Sequence, residues 1–235
     1  MGPLIQRPTF RDLLLRCWLR SVGTLSLLLV GVCVGLFVII TLLDLLRIVP
    51  RDISVSYLGF SYLGAIRRGL IYQWLTAPLM HANISHLLFN MLALWMLGPE
   101  VELILGRWRY ILFSALCGFA GLAGFLLFHQ GDGQIALGYS GVIFGLFVAQ
   151  AWYFPNTPLM FFAFFPVKMK YAVLMMAMIE LYLVYTPGRG GIANIAHLLG
   201  AVAALVFLAT NRWWFARRAR VMRIPQNRVK IPRRL

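Results

Sequence analysis

Ser140 stands between Tyr139 and Gly141 in the stretch LGYSGVIFG, a single serine in a run of apolar and small residues. The few other polar side chains in the apolar segments include His86 and Asn90, Glu180, Asn194 and His197. Polar groups in hydrocarbon are costly and mark either function or a paired structural contact. A serine becomes a nucleophile when a base takes its proton, and histidine is the commonest base. His197 is the candidate, taking the hydroxyl proton and later giving it to the leaving group. The oxyanion that develops needs donors. Asn90, His86 and the backbone N–H groups at the start of the helix headed by Ser140 can supply them, at an end where the helix dipole favours negative charge. No acid is expected to orient His197, so the economical arrangement is a serine–histidine pair. Phe144, one turn beyond Ser140, is placed to pack against the imidazole.

Each residue also has a simpler reading. Gly141 and Gly145 form a small-xxx-small pair, which would make Ser140 part of a close helix contact. Asn90 can bridge two helices, and Glu180 can make a buried helix-to-helix hydrogen bond. A zinc site would draw on His81, His86 and His197. However, His81 and His86 are five apart, no HExxH occurs, and no carboxylate accompanies them near the outer face. No metal or other cofactor is expected. A proton relay through Glu180 would need a second carboxylate beside it.

The elements that carry these residues follow from composition. Of the 235 residues, 61% are hydrophobic and 12% charged, with mean hydropathy +0.80. A soluble domain of this size cannot hide so much apolar surface, so the fold class is an all-α polytopic membrane protein. Six spans are expected, at about 22–46, 85–103, 110–128, 140–154, 171–185 and 192–210. The first, third and sixth approach the roughly 20 apolar residues a bilayer requires. The fourth and fifth are short, which calls for a cavity or thinned membrane beside them. The first run is too long for a signal-peptide core and is retained as a span. The organisation is therefore a basic cytoplasmic segment (1–21), a six-span membrane domain (22–210) and a basic cytoplasmic tail (211–235), with no appended domain expected. Cys17, Cys33 and Cys117 are odd in number and lie in or beside apolar runs, so they are read as packing residues rather than a disulfide framework.

Charge orients the bundle. Arg7, Arg11, Arg16 and Arg20 precede the first span, and nine basic residues from Arg212 to Arg234 follow the last. Arg107, Arg109, Lys168 and Lys170 lie in connections on the same side, leaving five basic residues elsewhere. The positive-inside rule puts both termini in the cytoplasm, and the composition suits a bacterial inner membrane. The tails are read as topology anchors that contact anionic lipid headgroups. The net charge of +15 comes with no recognition motif, so no nucleic-acid partner is expected. The long connection from Arg47 to about Ile84 is extracytoplasmic, and its aromatic composition suggests that it rests on or dips into the interface. Leu159 to Val167 is too short to span and is expected at the opposite interface.

Topology then joins the polar residues. The second, fourth and sixth spans all start at the extracytoplasmic face. His86 and Ser140 lie at first turns, Asn90 one turn deeper on the face of His86, and His197 within two turns. At a rise of 1.5 Å per residue, all share a depth within about 10 Å of the outer face. The convergence points to a site.

Three motifs carry a resemblance. GYSGVIFG (Gly138–Gly145) resembles the GxSGxxFG motif of rhomboid intramembrane serine proteases. HANISHLLFN (His81–Asn90) resembles their HxxxxHxxxN motif, and AHLLG (Ala196–Gly200) their AHxxG motif. EVELILGRWRY, with Glu102 and Gly106, resembles the cytoplasmic turn after the family's second span. The match runs in order from about Trp74 to Ala209. It implies a six-transmembrane-helix rhomboid-like bundle with a water-filled cavity open to the outside. In that bundle Ser140 is the nucleophile, His197 the general base, and Asn90, His86 and the Ser140 amide the oxyanion hole. Gly138, Gly141, Phe144 and Gly200 are supporting residues, Gly141 and Gly200 by close packing of the fourth and sixth helices. The implied substrate is a transmembrane protein cut near the outer end of its span. The alternative is a catalytically inactive relative that binds membrane proteins, although such relatives typically lack the serine or the histidine. Two features depart from the family. Tyr139 replaces a commonly small residue, which would narrow the cleft or alter side-chain preference, and the first loop has no clear Trp-Arg pair.

Overall fold

The computed structural model describes residues 24–128, 133–161, 165–186 and 191–221. The expected N-terminal segment 1–21 with Cys17, and the tail beyond Val221, lie outside the described residues. Each expected span coincides with one helix: α1 (Leu25–Leu45), α3 (Ile84–Leu105), α4 (Arg107–Phe128), α5 (Ser140–Tyr153), α6 (Met169–Val184) and α7 (Gly191–Val221). A further short helix, α2 (Arg51–Leu58), lies in the long connection after α1. Four helices reach the length and apolarity needed to cross a bilayer: α1, α3, α4 and the 193–211 portion of α7. α5 is apolar but has only 14 residues. It therefore covers roughly 21 Å, well short of a hydrocarbon core. α7 runs on to Val221, so the segment expected as tail from residue 211 begins as helix.

α1 buries Ser26, Cys33 and Ile40, seven residues apart, a seam one side chain wide. Leu25, Leu29, Val30 and Phe37 flank that seam half-buried, and Leu28, Val32, Val38, Ile39 and Leu42 are exposed, as lipid contact requires. Its first turn is capped twice. Thr24 accepts from Leu27 N at 3.3 Å, and the Glu102 carboxylate of α3 accepts from Leu25 N at 3.0 Å and Ser26 N at 3.1 Å. Ser26 Oγ also meets Tyr110 OH of α4 at 2.9 Å. Glu102 thus satisfies N–H groups that no helix can satisfy for itself, and it ties three helices together at one end.

α7 packs chiefly on α4 and α5, and α6 lies along α7 and α5. The main core gathers Leu94, Val101, Tyr110, Phe113, Leu146 and Leu208 with the free cysteines Cys33 and Cys117, as their packing role predicts. α6 is fully buried only at Met169 and Ala172 in its first turn. Beyond them, half-buried positions recur at Val173, Ala177, Glu180 and Val184, the spacing of a helix with one face on a partner.

Two segments are more structured than the sequence alone announces. Leu159–Val167 was expected only as an interfacial stretch. Its described residues form an antiparallel hairpin, β1 (Pro158–Phe161) with β2 (Phe165–Lys168), pairing Pro158 with Lys168 and Phe161 with Phe165. Aromatic side chains suit a pleated ribbon, and Pro158 and Pro166 discourage a helix there. The 47–83 connection, expected to rest on the interface, is a folded cap. It contains α2, a π-helical turn (Tyr62–Arg67) and two short helical turns up to Leu79. The fully buried amide of Gln73 holds it, donating to Ser56 O and Tyr57 O at 3.3 and 3.0 Å and accepting from Ser61 N at 3.4 Å. Beneath it Phe60, Ala65 and Ala77 pack with Leu122 and Phe125 of α4, and Phe60 meets Trp74 edge to face at 4.6 Å.

Candidate active site

The loop that enters α5 is pinned to the cap. Phe60 and Ala136 exchange backbone hydrogen bonds of 2.9 and 2.8 Å as an isolated antiparallel bridge, and Gly138 N donates to Ala77 O at 2.9 Å. Gly138 has φ +112°, a conformation in which a side chain is strained. A Cβ there would also strike the His86 ring, 2.6 Å from Cε1 and 2.7 Å from Nε2, with Asn90 Nδ2 at 3.7 Å. His86 and Asn90 therefore lie directly against the backbone two residues before Ser140.

His86 owes its place to the cap of α3, where Asn83 Oδ1 accepts from His86 N at 2.8 Å. Asn90 follows one turn later on the same face and is buried, yet its Nδ2 has no hydrogen-bond partner. α5, by contrast, has no side-chain cap of the kind that α1 and α3 receive, and of its first turn Val142 N bonds the Tyr139 carbonyl at 2.9 Å. Ser140 opens that turn.

Ser140 and His197 line the same cavity, of about 300 Å³, with Gly138, Gly141 and Ala196. α4, α5 and α7 meet behind it at glycines. A Cβ on Gly200 would collide with the carbonyl oxygen of Gly141, and one on Gly121 would lie 3.0 Å from Ala196 O. Phe144 stacks on His197, with ring centroids 4.4 Å apart and planes 9° from parallel. The structure thus brings together Ser140, His197, Asn90, His86, Gly138, Gly141, Phe144 and Gly200.

Two expectations are corrected. Tyr139 does not narrow the cleft. The turn into α5 (φ −78°, ψ 3°) sends its side chain into the main core, where it is buried, and it does not line the cavity. Nor is His197 without an acid. Glu180 Oε1 lies 3.0 Å from His197 Nδ1, because the half-buried face of α6 runs beside the first turns of α7. Glu180 Oε2 also accepts from Asn194 Nδ2, which is the helix-to-helix hydrogen bond expected of it. Sequence reasoning noted Glu180 and Asn194 but did not join them to His197. It also passed over Gly121, Gln73 and the Phe60–Ala136 bridge.

His81, the third histidine weighed for a metal, is buried outside the helices with its ring 5.2 Å from that of His86. Burial, helped by the neighbouring His86, pushes its pKa down to about 4, against a smaller opposing effect of the Leu79 carbonyl.

A family model described as Rhomboid domain matches residues 68–213, more than half of the chain. Rhomboid-like protein 15 of Arabidopsis thaliana is 34% identical over 97 residues, covering 36% of this chain and 24% of that protein. Putative rhomboid protease YdcA of Bacillus subtilis (strain 168) is 35% identical over 82 residues, covering 35% and 41%. Rhomboid protease GlpG of Enterobacter sp. (strain 638) is 30% identical over 130 residues, covering 55% and 43%. The chain spans less than half the length of each of these relatives. With helices long and apolar enough to cross a bilayer, and a family match that takes in the last part of the cap and every residue of the site, the chain is an integral membrane protein and belongs to the rhomboid family.

Proposed function

We propose that this chain is an intramembrane serine endopeptidase that cleaves transmembrane segments of other membrane proteins near their extracytoplasmic ends. Ser140 is the nucleophile and His197 the general base. The oxyanion hole is the Ser140 amide with Asn90 and His86. The observation that carries the reading is the buried Asn90 Nδ2, a donor without a partner, set against Gly138 beside a cavity that Ser140 and His197 both line. A buried unpaired donor costs free energy in the resting protein, and an oxyanion is the acceptor that would recover it.

In the first half-reaction the Ser140 Oγ–H proton passes to His197 Nε2 as Oγ bonds to the scissile carbonyl carbon. The carbonyl π pair becomes the oxyanion, held by the donors around Gly138. Collapse breaks the C–N bond, and the leaving amine takes the proton from Nε2. Water then attacks the acyl-enzyme with the same base, releasing the acid and restoring the Ser140 hydroxyl. The shortness of α5 suits this chemistry, since a helix too short to span leaves room at its start for a cavity that holds water. In the proposed topology six helices cross a bacterial inner membrane, both termini are cytoplasmic, and the basic tails meet anionic headgroups.

The test is cleavage of a labelled single-span substrate by the full chain in liposomes, beside Ser140→Ala and His197→Ala. Loss of one specific product in both folded variants, with fluorophosphonate labelling at Ser140 in the wild type, is the expected result. No cleavage across a substrate panel and no labelling would favour a membrane-protein-binding role instead.

A further inference from the structure

We propose that Glu180 is a positioning residue for His197, so that the catalytic unit is Ser140, His197 and Glu180 rather than a serine–histidine pair; this rests on the protease reading above. An ionised carboxylate accepts hydrogen bonds and cannot donate them, so the 3.0 Å contact between Glu180 Oε1 and His197 Nδ1 puts the imidazole hydrogen on Nδ1. Nε2 is left with its lone pair, the form a general base requires. Two contacts then fix the ring. Stacking on Phe144, with planes 9° apart, sets its tilt, and the carboxylate sets its rotation within that plane.

The carboxylate is itself held. Its second oxygen accepts from Asn194 Nδ2, and Asn194 lies three residues before His197 on the same face of α7. Both side chains of the pair are largely removed from solvent, His197 with 17% and Glu180 with 12% of the side chain exposed. A fixed negative charge is therefore little screened there, and it favours the imidazolium that forms when Nε2 takes the Ser140 proton. Nδ1–H stays in place throughout, and Glu180 never takes up a proton.

A purely structural Glu180 would only fasten α6 to α7. Glu180→Gln separates the two roles, because the amide has the same size and can still bond both neighbours. It lacks the charge, and its NH₂ group turned toward Nδ1 selects the other tautomer. The expected result is a fall in kcat of roughly 10²–10⁴-fold with KM and melting temperature unchanged. The tautomer is read without turnover, from ¹⁵N-histidine NMR of the Ser140→Ala protein with and without Glu180→Gln. The expected spectrum has His197 protonated on Nδ1, shifting toward Nε2 in the double variant. Unchanged kcat in Glu180→Gln, a loss of melting temperature with the tautomer unchanged, or an Nε2-protonated His197 in the parent would each overturn the proposal. If the wild type neither cleaves nor labels at Ser140, the protease reading fails, and the spectrum still decides whether Glu180 sets the His197 tautomer.

Discussion

Gly200 of α7 approaches the carbonyl oxygen of Gly141 so closely that no side-chain carbon fits between them. The same contact holds the first turn of α5, and Ser140 with it, against the helix that carries His197. Gly200→Ala is therefore expected to cost about 1–3 kcal/mol by overpacking and to abolish cleavage. The control is Gly35→Ala on α1, where a Cβ meets nothing within 4 Å. It should leave cleavage intact and raise stability by about 0.5–1 kcal/mol through helix propensity. Thermal unfolding in detergent alongside the cleavage assay checks both.

Asn90 invites the opposite pairing of effects. Its Nδ2 bonds nothing in the resting protein, so Asn90→Ala removes no hydrogen bond from Nδ2 and should leave the melting temperature at or slightly above wild type. If that amide is reserved for the oxyanion, kcat falls by roughly 10²–10³-fold. A destabilised Asn90→Ala protein with unchanged kcat would mean that the amide is a structural bridge.

His81 predicts a pH dependence of stability outside the catalytic chemistry. Its pKa is lowered to about 4 in the folded protein, so between about 4 and the ordinary value of 6.5 the unfolded chain binds a proton that the folded chain does not. Stability contributed by the neutral ring is present above pH 6.5 and is lost as pH falls toward 4. The groups facing it are the His86 ring, the Leu79 carbonyl and the Arg51 guanidinium, which holds the His81 carbonyl at 2.9 Å. The melting temperature should drop between pH 7 and pH 5 in the wild type, and drop less in His81→Gln.

The site was legible because its residues are rare in their surroundings. One serine between glycines and two histidines with an asparagine stand out against apolar spans, and alternate crossing places them at one depth. Glu180 was visible too, yet its role was missed. In the expected topology the fifth span runs outward and ends near residue 185, which would put Glu180, near its outer end, at the depth of His197. Its spacing from Val173, Ala177 and Val184 puts it on the buried face. What hid the contact is that helix rotation about its neighbour is set by packing, which a single apolar run does not encode. The fold of the cap over residues 47–83 was not legible for a related reason: its cohesion comes from one buried amide, Gln73, and long-range backbone pairs such as Phe60 with Ala136. The hairpin after α5 carries no alternating pattern to announce strands.

The burial of α6 is lopsided, and this has a mechanical consequence. Its fully buried residues, Met169 and Ala172, sit in the first turn, while Glu180 carries a polar tie near the far end. The helix is built like a cantilever, clamped at its root and latched near its tip. Deflecting the tip would carry the carboxylate away from the imidazole, so movement of that helix and the orientation of the base are geared to one another.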